Sequence, residues 1–173
     1  GLHRAWPDAE ITGVDIKPMP RYPFKFIRAD AMTFPVEGYD FIWASPPCER
    51  YSQSTPKSYR DRHPDLISDV RLMIMALKRP TPFVIENVPS ARTHLWDPIM
   101  LCGSMFGLQI RRHRLFEIGG FFVLTMNCRH DYKPVLITGT HRRTYEPRYE
   151  YTAQQCREAA DLHWMSRTEM DKA

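Results

Sequence analysis

Residues 65–88, DLISDVRLMIMALKRPTPFVIENV, place a helical pattern and a strand pattern on either side of a proline break. Six apolar residues recur at helical spacing in the first part: Leu66, Ile67, Val70, Met73, Ile74 and Leu77. Lys78 and Arg79 follow, where the last turn of a helix favours cations. After Pro80–Pro82 the run is apolar until Glu86 and Asn87, which is typical of a buried strand. The stretch predicts a helix that leads into a strand, the repeating step of an α/β sheet.

Three shorter apolar runs upstream, residues 11–16, 24–29 and 39–44, also read as strands that end in polar residues or turns. The resulting expectation is an α/β domain with a largely parallel sheet, whose ligands collect at the carboxyl ends of the strands. Asp15, Asp30, Cys48 and Glu86 would then lie along one edge. The alternative is that strands end in polar residues simply because loops are polar.

The composition favours one globular domain and excludes a disordered or fibrous chain, since 43% of the 173 residues are apolar and 25% are charged. No apolar run approaches the roughly 18–20 residues of a membrane span, and residues 1–10 lack the core of a signal peptide. A cytoplasmic location is therefore expected. Residues 111–148 carry eight Lys or Arg against three acids, which suits either an anionic partner or a solvated basic face.

Cys48 and Glu86 are the candidate reactive pair. Cys48 follows two prolines in a stiff turn, where Arg50 or loop amides could favour a thiolate, although such a thiol can also be incidental. Glu86 ends a buried strand, and an acid beside a sulfur nucleophile can activate a heteroaromatic ring for attack. A rival interpretation makes His63 the base of a thiol hydrolase.

The remaining cysteines form no CxxC pair, and the default for each is a reduced thiol. Cys128 and His130, with His141 or Cys156, could be drawn as a metal site, but the spacing is poor. The sequence therefore predicts no metal.

Three motifs resemble those of the DNA cytosine-5 methyltransferases, and they occur in the order found in that family. SPPCERYS (45–52) resembles the Pro-Cys motif, IENV (85–88) the Glu-Asn-Val motif, and RRHRLFEI (111–118) the Arg-x-Arg motif. GVDIKP (13–18), RADAM (28–32) and LCGSMFGL (101–108) are similar to further family segments. EAADLHWMSRTEM (158–170) resembles the penultimate motif of small phage-type members, so the resemblance spans nearly the whole chain.

The resemblance implies a class I S-adenosylmethionine-dependent methyltransferase fold, a Rossmann-like, mostly parallel twisted sheet with flanking helices. Cys48 would add to carbon 6 of a flipped-out cytosine in double-stranded DNA, and Glu86 would engage ring nitrogen 3. Arg114 would contact the carbonyl oxygen of the base, and Arg112 would position the backbone or the catalytic loop. The implied S-adenosylmethionine residues are Asp15, Ile16, Asp30, Ala31 and Pro47, and the implied DNA-binding residues are Ser52, Arg129, Arg142 and Arg143.

The implied organisation is a catalytic core (1–118), a short basic target-recognition segment (119–157) and a C-terminal helix (158–173) that returns to the core. The family's glycine-rich loop and closing motif would lie outside Gly1 and Ala173, as in a chain truncated at both ends. A cognate restriction enzyme is a candidate partner. Two alternatives stay open: an RNA cytosine-5 methyltransferase, and a degenerate DNA-binding module without activity.

Overall fold

Both strands and helices occur along the chain in the computed structural model, which describes residues 2–135 and 151–161. Within these ranges four helices, α1 to α4, span Leu2–Ala5, Lys57–Arg60, Ile67–Met75 and Ala153–Ala160. The six strands of the described part, β1 to β6, span Thr12–Asp15, Lys25–Arg28, Ile42–Ala44, Phe83–Asn87, Ile99–Cys102 and His113–Gly119. Two 3₁₀ turns cover Pro89–His94 and Gly103–Phe106. The predicted α/β class is confirmed in this coarse form.

The strands of the described residues form two sheets instead of the single, mostly parallel sheet that was expected. β1 pairs with β2 in parallel, and a separate four-stranded sheet has the order β3-β4-β6-β5. Only β3 and β4 are parallel in that sheet, while β4 with β6 and β5 with β6 are antiparallel. The four-stranded sheet is not mostly parallel because β5 and β6 form a hairpin, in which the chain reverses direction without a crossover helix.

Helix α3 packs on the four-stranded sheet with the apolar stripe that its spacing predicted. Ile67, Val70 and Ile74 are buried there together with Ile85 of β4 and Leu115 of β6. These contacts fix the two strands that carry the candidate site residues. None of the helices in the described ranges is long and apolar enough to cross a membrane.

The end of α3 differs from the prediction. The helix ends at Met75, so Lys78 and Arg79 lie beyond it instead of in its last turn. Arg79 precedes Pro80, and the proline ring disfavours helical backbone at the residue before it. Arg79 instead forms an ion pair with Asp40 at 2.8 Å.

A buried ion pair joins α3 to β6. The Arg71 guanidinium donates to both carboxylate oxygens of Glu117, at 2.6 and 2.7 Å, and to the carbonyl oxygen of His94 at 2.7 Å. Glu117 also accepts from the backbone amide of Trp96 at 2.8 Å. Both charged side chains are almost fully buried, and their hydrogen bonds offset the cost of desolvation. The pair fixes β6 three residues beyond Arg114.

Helix α4 begins with a capping box and packs on the core. The Thr152 hydroxyl accepts from the Gln155 amide at 3.2 Å, and the Gln155 side chain accepts from the Thr152 amide at 2.8 Å. Cys156, Ala159 and Ala160 are buried against Ile110. The helix ends at Ala160, where Asp161 takes a left-handed backbone conformation, and residues 162–173 of the expected C-terminal helix lie outside the described residues.

Candidate active site

An ion pair between β4 and β6 is the centre of the candidate site. Arg114 Nε donates to Glu86 Oε1 at 2.8 Å, and each side chain is 21% exposed. Glu86 lies opposite Phe116 in the antiparallel register, and Arg114 is two residues before Phe116. Because side chains alternate along a strand, Arg114 and Phe116 share one face, which brings the guanidinium to Glu86.

The turn that carries Cys48 is hydrogen-bonded to the end of β4. Pro46 is buried, Pro47 is exposed and Cys48 is half-buried. Asn87 is 2% exposed and donates from its side-chain amide to the carbonyl oxygen of Pro46 at 3.0 Å. Because Asn87 directly follows Glu86, one hydrogen bond connects the cysteine turn to the strand that carries the carboxylate.

The thiol, the carboxylate and two guanidinium groups share one electrostatic environment. Burial raises the pKa of the Cys48 thiol; Glu49 and, to a smaller extent, Glu86 raise it further, while Arg114 opposes them. Burial, and then repulsion by Arg114, lowers the pKa of Arg112 to about 10, against opposing effects of Glu86 and Cys48. The four predicted catalytic residues are therefore close enough to influence one another's charge, and the pKa of the Cys48 thiol lies above its ordinary value.

The cation beside Cys48 differs from the one suggested by the sequence. Arg114 lowers the pKa of the thiol, against the larger effects of burial and Glu49, whereas Arg50 makes no resolved contribution. Arg50 donates to the carbonyl oxygen of His63 at 3.0 Å. Within residues 2–135 and 151–161, no hydrogen bond joins the His63 imidazole to Cys48. The thiol hydrolase interpretation therefore has no base in place.

The predicted cofactor acids follow two paired parallel strands. Asp15 ends β1, and Asp30 follows β2 by two residues, so both carboxylates lie at the same edge of this sheet. One oxygen of each accepts a backbone amide, from Lys17 at 2.7 Å and from Met32 at 2.9 Å. The adjacent Ile16 is 60% exposed, and Ala31 and Pro47 are exposed as well. The second carboxylate oxygens leave acceptor capacity for hydroxyl or amino groups.

The predicted DNA-binding residues are only partly within the described residues. Ser52 lies in the turn after Cys48, where its hydroxyl accepts from the Ser54 amide at 3.2 Å. Arg129 is exposed, and its backbone amide donates to the Ser104 hydroxyl at 3.2 Å. Arg142 and Arg143 lie outside the described residues.

Four residues that support the cysteine turn were missed by the sequence analysis. Tyr51 is 5% exposed and its hydroxyl donates to Asp65, which also lies 3.0 Å from His94 Nδ1. Burial, and then the hydrogen bond to Asp65, raises the pKa of Tyr51. Ser90 donates to the Tyr51 carbonyl oxygen at 2.6 Å. No spacing signal points to Asp65 or His94, which are 14 and 43 residues further along the chain than Tyr51.

A second cluster of reactive side chains lies where β5 and β6 meet their connecting loop, at the pair formed by Cys102 and His113. Cys102, His113, Cys128 and His130 each bring one ligand atom to within 4.8 Å of the others. Cys128 and His130 were considered in the sequence, but with other partners. Cys156 is instead buried in α4, and His141 lies outside the described residues. The cluster runs against the expectation of a chain without a metal site.

A cysteine thiol, a paired carboxylate and two guanidinium groups beside a sheet are groups that nucleophilic and acid–base chemistry can use. Residues 16–100 match the family model of the C-5 cytosine-specific DNA methylase, a range just under half of the chain. That range contains Cys48 and Glu86 and ends before Arg112 and Arg114. No curated protein matches the chain.

Among solved structures, a methyltransferase of Entamoeba histolytica is similar to this chain at 20% identity, with a TM-score of 0.35. The similarity covers 57% of this chain and 37% of that protein, so the chain spans little more than a third of its length.

Proposed function

We propose that this protein is a DNA cytosine-5 methyltransferase that uses S-adenosylmethionine, with Cys48 as nucleophile. The observation that carries the proposal is the Arg114–Glu86 ion pair at 2.8 Å, in the electrostatic environment of the half-buried Cys48 thiol. The match of residues 16–100 to the cytosine-specific methylase family supports the same chemistry. In this proposal S-adenosylmethionine is the methyl donor, duplex DNA is the substrate, and the target base leaves the helix before it reacts.

Covalent addition solves the chemical problem of this reaction. Carbon 5 of cytosine is a poor nucleophile, and addition of sulfur to carbon 6 converts the ring into an enamine that can attack a methyl electrophile. The Cys48 thiol loses its proton as the S–C6 bond forms, and ring nitrogen 3 gains one. After carbon 5 has been methylated, a base takes the proton from carbon 5 as the S–C6 bond breaks, and the proton on ring nitrogen 3 returns to the sulfur, which restores the aromatic ring and the thiol.

We assign Glu86 to ring nitrogen 3 and Arg114 to the neighbouring carbonyl oxygen. A guanidinium has five N–H donors, so Arg114 can hold Glu86 and still donate to the base. Arg112 adds positive charge to a partly buried site, where it stabilises negative charge that develops on the ring or on sulfur. The ion pair would thereby orient the carboxylate for a hydrogen bond to ring nitrogen 3 of the pyrimidine.

The β1–β2 sheet has groups that fit S-adenosylmethionine. Acids that follow parallel strands are typical partners of ribose hydroxyls, and the exposed Ile16 offers an apolar surface for a purine. We assign Asp15 to the ribose, Asp30 with Ala31 to the adenine amino group, and Pro47 to the wall next to the reactive carbon. When bound, this cofactor supplies the electrophilic methyl group.

DNA is favoured over RNA by the match to the cytosine-specific DNA methylase family. The net positive charge of the chain is concentrated in residues 111–148, and Lys and Arg side chains of this segment would neutralise backbone phosphates of either nucleic acid. A base inside a duplex is out of reach of a half-buried thiol, so the target must leave the stack before attack.

A mechanism-based trap tests the proposal. Duplex DNA with 5-fluorocytosine in place of cytosine should form a covalent complex with the protein when S-adenosylmethionine is present, because fluorine at carbon 5 blocks the final elimination. Cys48→Ser should form none, while Glu37→Gln, on an exposed turn, should behave as wild type. A matched RNA substrate separates the two nucleic acids. Trapping on RNA alone would exclude the DNA assignment, and trapping of the Cys48→Ser variant would exclude the nucleophile.

A further inference from the structure

One cluster of side chains has a geometry that hydrogen bonding alone does not require. Its members are Cys102, His113, Cys128 and His130. Cys102 and His113 are a directly opposed pair in the antiparallel register of β5 and β6. Cys102 Sγ lies 3.5 Å from His130 Nε2, and Cys128 Sγ lies 3.6 Å from His113 Nε2. Each strand therefore offers one ligand, and the chain after β6 offers two.

These distances match the edges of a tetrahedron around one metal ion. With Zn–S near 2.3 Å and Zn–N near 2.0–2.1 Å, a tetrahedral site separates sulfur from nitrogen by about 3.5 Å. All four ligand atoms lie within 4.8 Å of one another, close enough to contract onto one ion. Two thiols and two imidazoles are a ligand set for zinc, whereas magnesium and calcium prefer oxygen.

Ser104 supports both halves of the cluster. Its hydroxyl donates to Cys102 Sγ at 3.3 Å and accepts from the backbone amide of Arg129 at 3.2 Å. Arg129 lies between Cys128 and His130, so Ser104 orients the sulfur of β5 and the loop that carries the other two ligands. Outer contacts of this kind fix the orientation of metal ligands.

We propose that Cys102, His113, Cys128 and His130 bind a structural zinc ion. Four protein ligands leave no open position, which is the mark of a structural site and not of a catalytic one. The proposal does not depend on methyl transfer, since it concerns metal binding alone.

The zinc ion would fix the start of the basic segment to the strand of the candidate site. His113 stands between Arg112 and Arg114, and strand alternation turns its side chain to the face opposite Arg114. Arg111 adds two hydrogen bonds to the same loop, to the carbonyl oxygens of His130 at 2.8 Å and Tyr132 at 3.1 Å. The ion would thus hold Arg129 at a set position relative to Arg114 without entering the reactive face.

Metal analysis of purified protein tests the site. Wild type produced with zinc available should carry a single zinc ion per chain, and cobalt in its place should give the intense visible bands of a tetrahedral thiolate site. Cys128→Ser with His130→Asn should lose both signals. These two ligands lie outside every strand, which limits damage to the fold. Cys48→Ser with His63→Asn makes the same two types of substitution away from the cluster, so this control variant should retain the metal.

Several outcomes would overturn the proposal. Wild type without bound zinc and without the cobalt spectrum would do so, as would equal zinc content in the two double variants. A Cys102–Cys128 disulfide in protein purified without a reductant would identify the cysteines as a redox pair. Because the readout is metal content, failure here leaves the methyltransferase proposal untouched, and a zinc-loaded protein without activity would leave the zinc site intact.

Discussion

Asn87 donates to the carbonyl oxygen of Pro46 at 3.0 Å, and this hydrogen bond lies between the two residues on which the proposed chemistry depends. Asn87 follows Glu86 directly, and Pro46 precedes Cys48 by two positions. The same side chain accepts from the backbone amide of Val88 at 2.9 Å, so both of its ends are used. The distance from thiol to carboxylate is thereby set by a buried amide rather than by either reactive group.

Asn87→Ala should uncouple the turn from the strand. The change leaves a buried carbonyl oxygen without its donor, which costs about 1–3 kcal/mol of stability. Methyl transfer should fall more than binding of DNA, because the turn loses its position while the basic surface is unchanged. Thermal unfolding and kcat against KM check this. Ser54→Ala, on the exposed side of the same loop, is the control, and an unchanged kcat in Asn87→Ala would contradict the positioning role.

Glu49→Gln should make Cys48 more reactive. Burial is the largest cause of the raised pKa of Cys48, and the Glu49 carboxylate is the next. Removal of that negative charge lowers the pKa of the thiol, so more thiolate is present at any given pH. The pH profile of iodoacetamide alkylation, followed on the Cys48 peptide by mass spectrometry, should move to lower pH. Glu37→Gln should leave the profile in place, and identical profiles for all three proteins would remove Glu49 from the environment of the thiol.

Arg71→Met should destabilise the fold strongly. It leaves Glu117 charged and buried without its bidentate partner, and removal of one member of a buried pair costs about 3–5 kcal/mol. Chemical denaturation measures this loss. The double variant Arg71→Met with Glu117→Leu should recover much of it, since no unpaired charge remains. A double variant as unstable as the sum of two single variants would show that the two charges act independently.

The sequence predicts the elements of this fold better than it predicts their assembly. Apolar spacing locates α3 and the strand before Glu86 because local burial patterns suffice for both. The pairing of β4 with β6 depends on contacts more than 25 residues apart, and the hairpin reverses the direction that successive strands suggested. Such register is fixed by packing against α3 and by the Arg71–Glu117 pair, neither of which has a local signal.

In the candidate site, too, residues in local motifs could be predicted and residues that depend on distant contacts could not. Cys48, Glu86, Arg112 and Arg114 could be selected from the sequence because each belongs to a short motif. Asp65 and His94 could not, since they support the cysteine turn from distant positions through Tyr51. In the proposed metal-binding cluster, Cys128 and His130 could be paired because they are close along the chain. Cys102 and His113 could not be found in this way, since only the register of β5 with β6 brings them near Cys128 and His130.

Arg114→Lys should separate charge from geometry at the centre of the site. Lysine keeps the positive charge but loses the planar array of donors that lets one side chain hold Glu86 and a ring oxygen together. We expect kcat to fall by about 10²–10³, as for the loss of one preorganised donor, while DNA affinity changes little. The kcat of Glu86→Gln should fall by about 10²–10⁴, the range expected when a general acid is lost. Lys57→Arg, on an exposed helix, controls for exchange of the two basic side chains. If Arg114→Lys retained full activity, positive charge alone would be sufficient, and the assignment of Arg114 to two partners at once would be wrong.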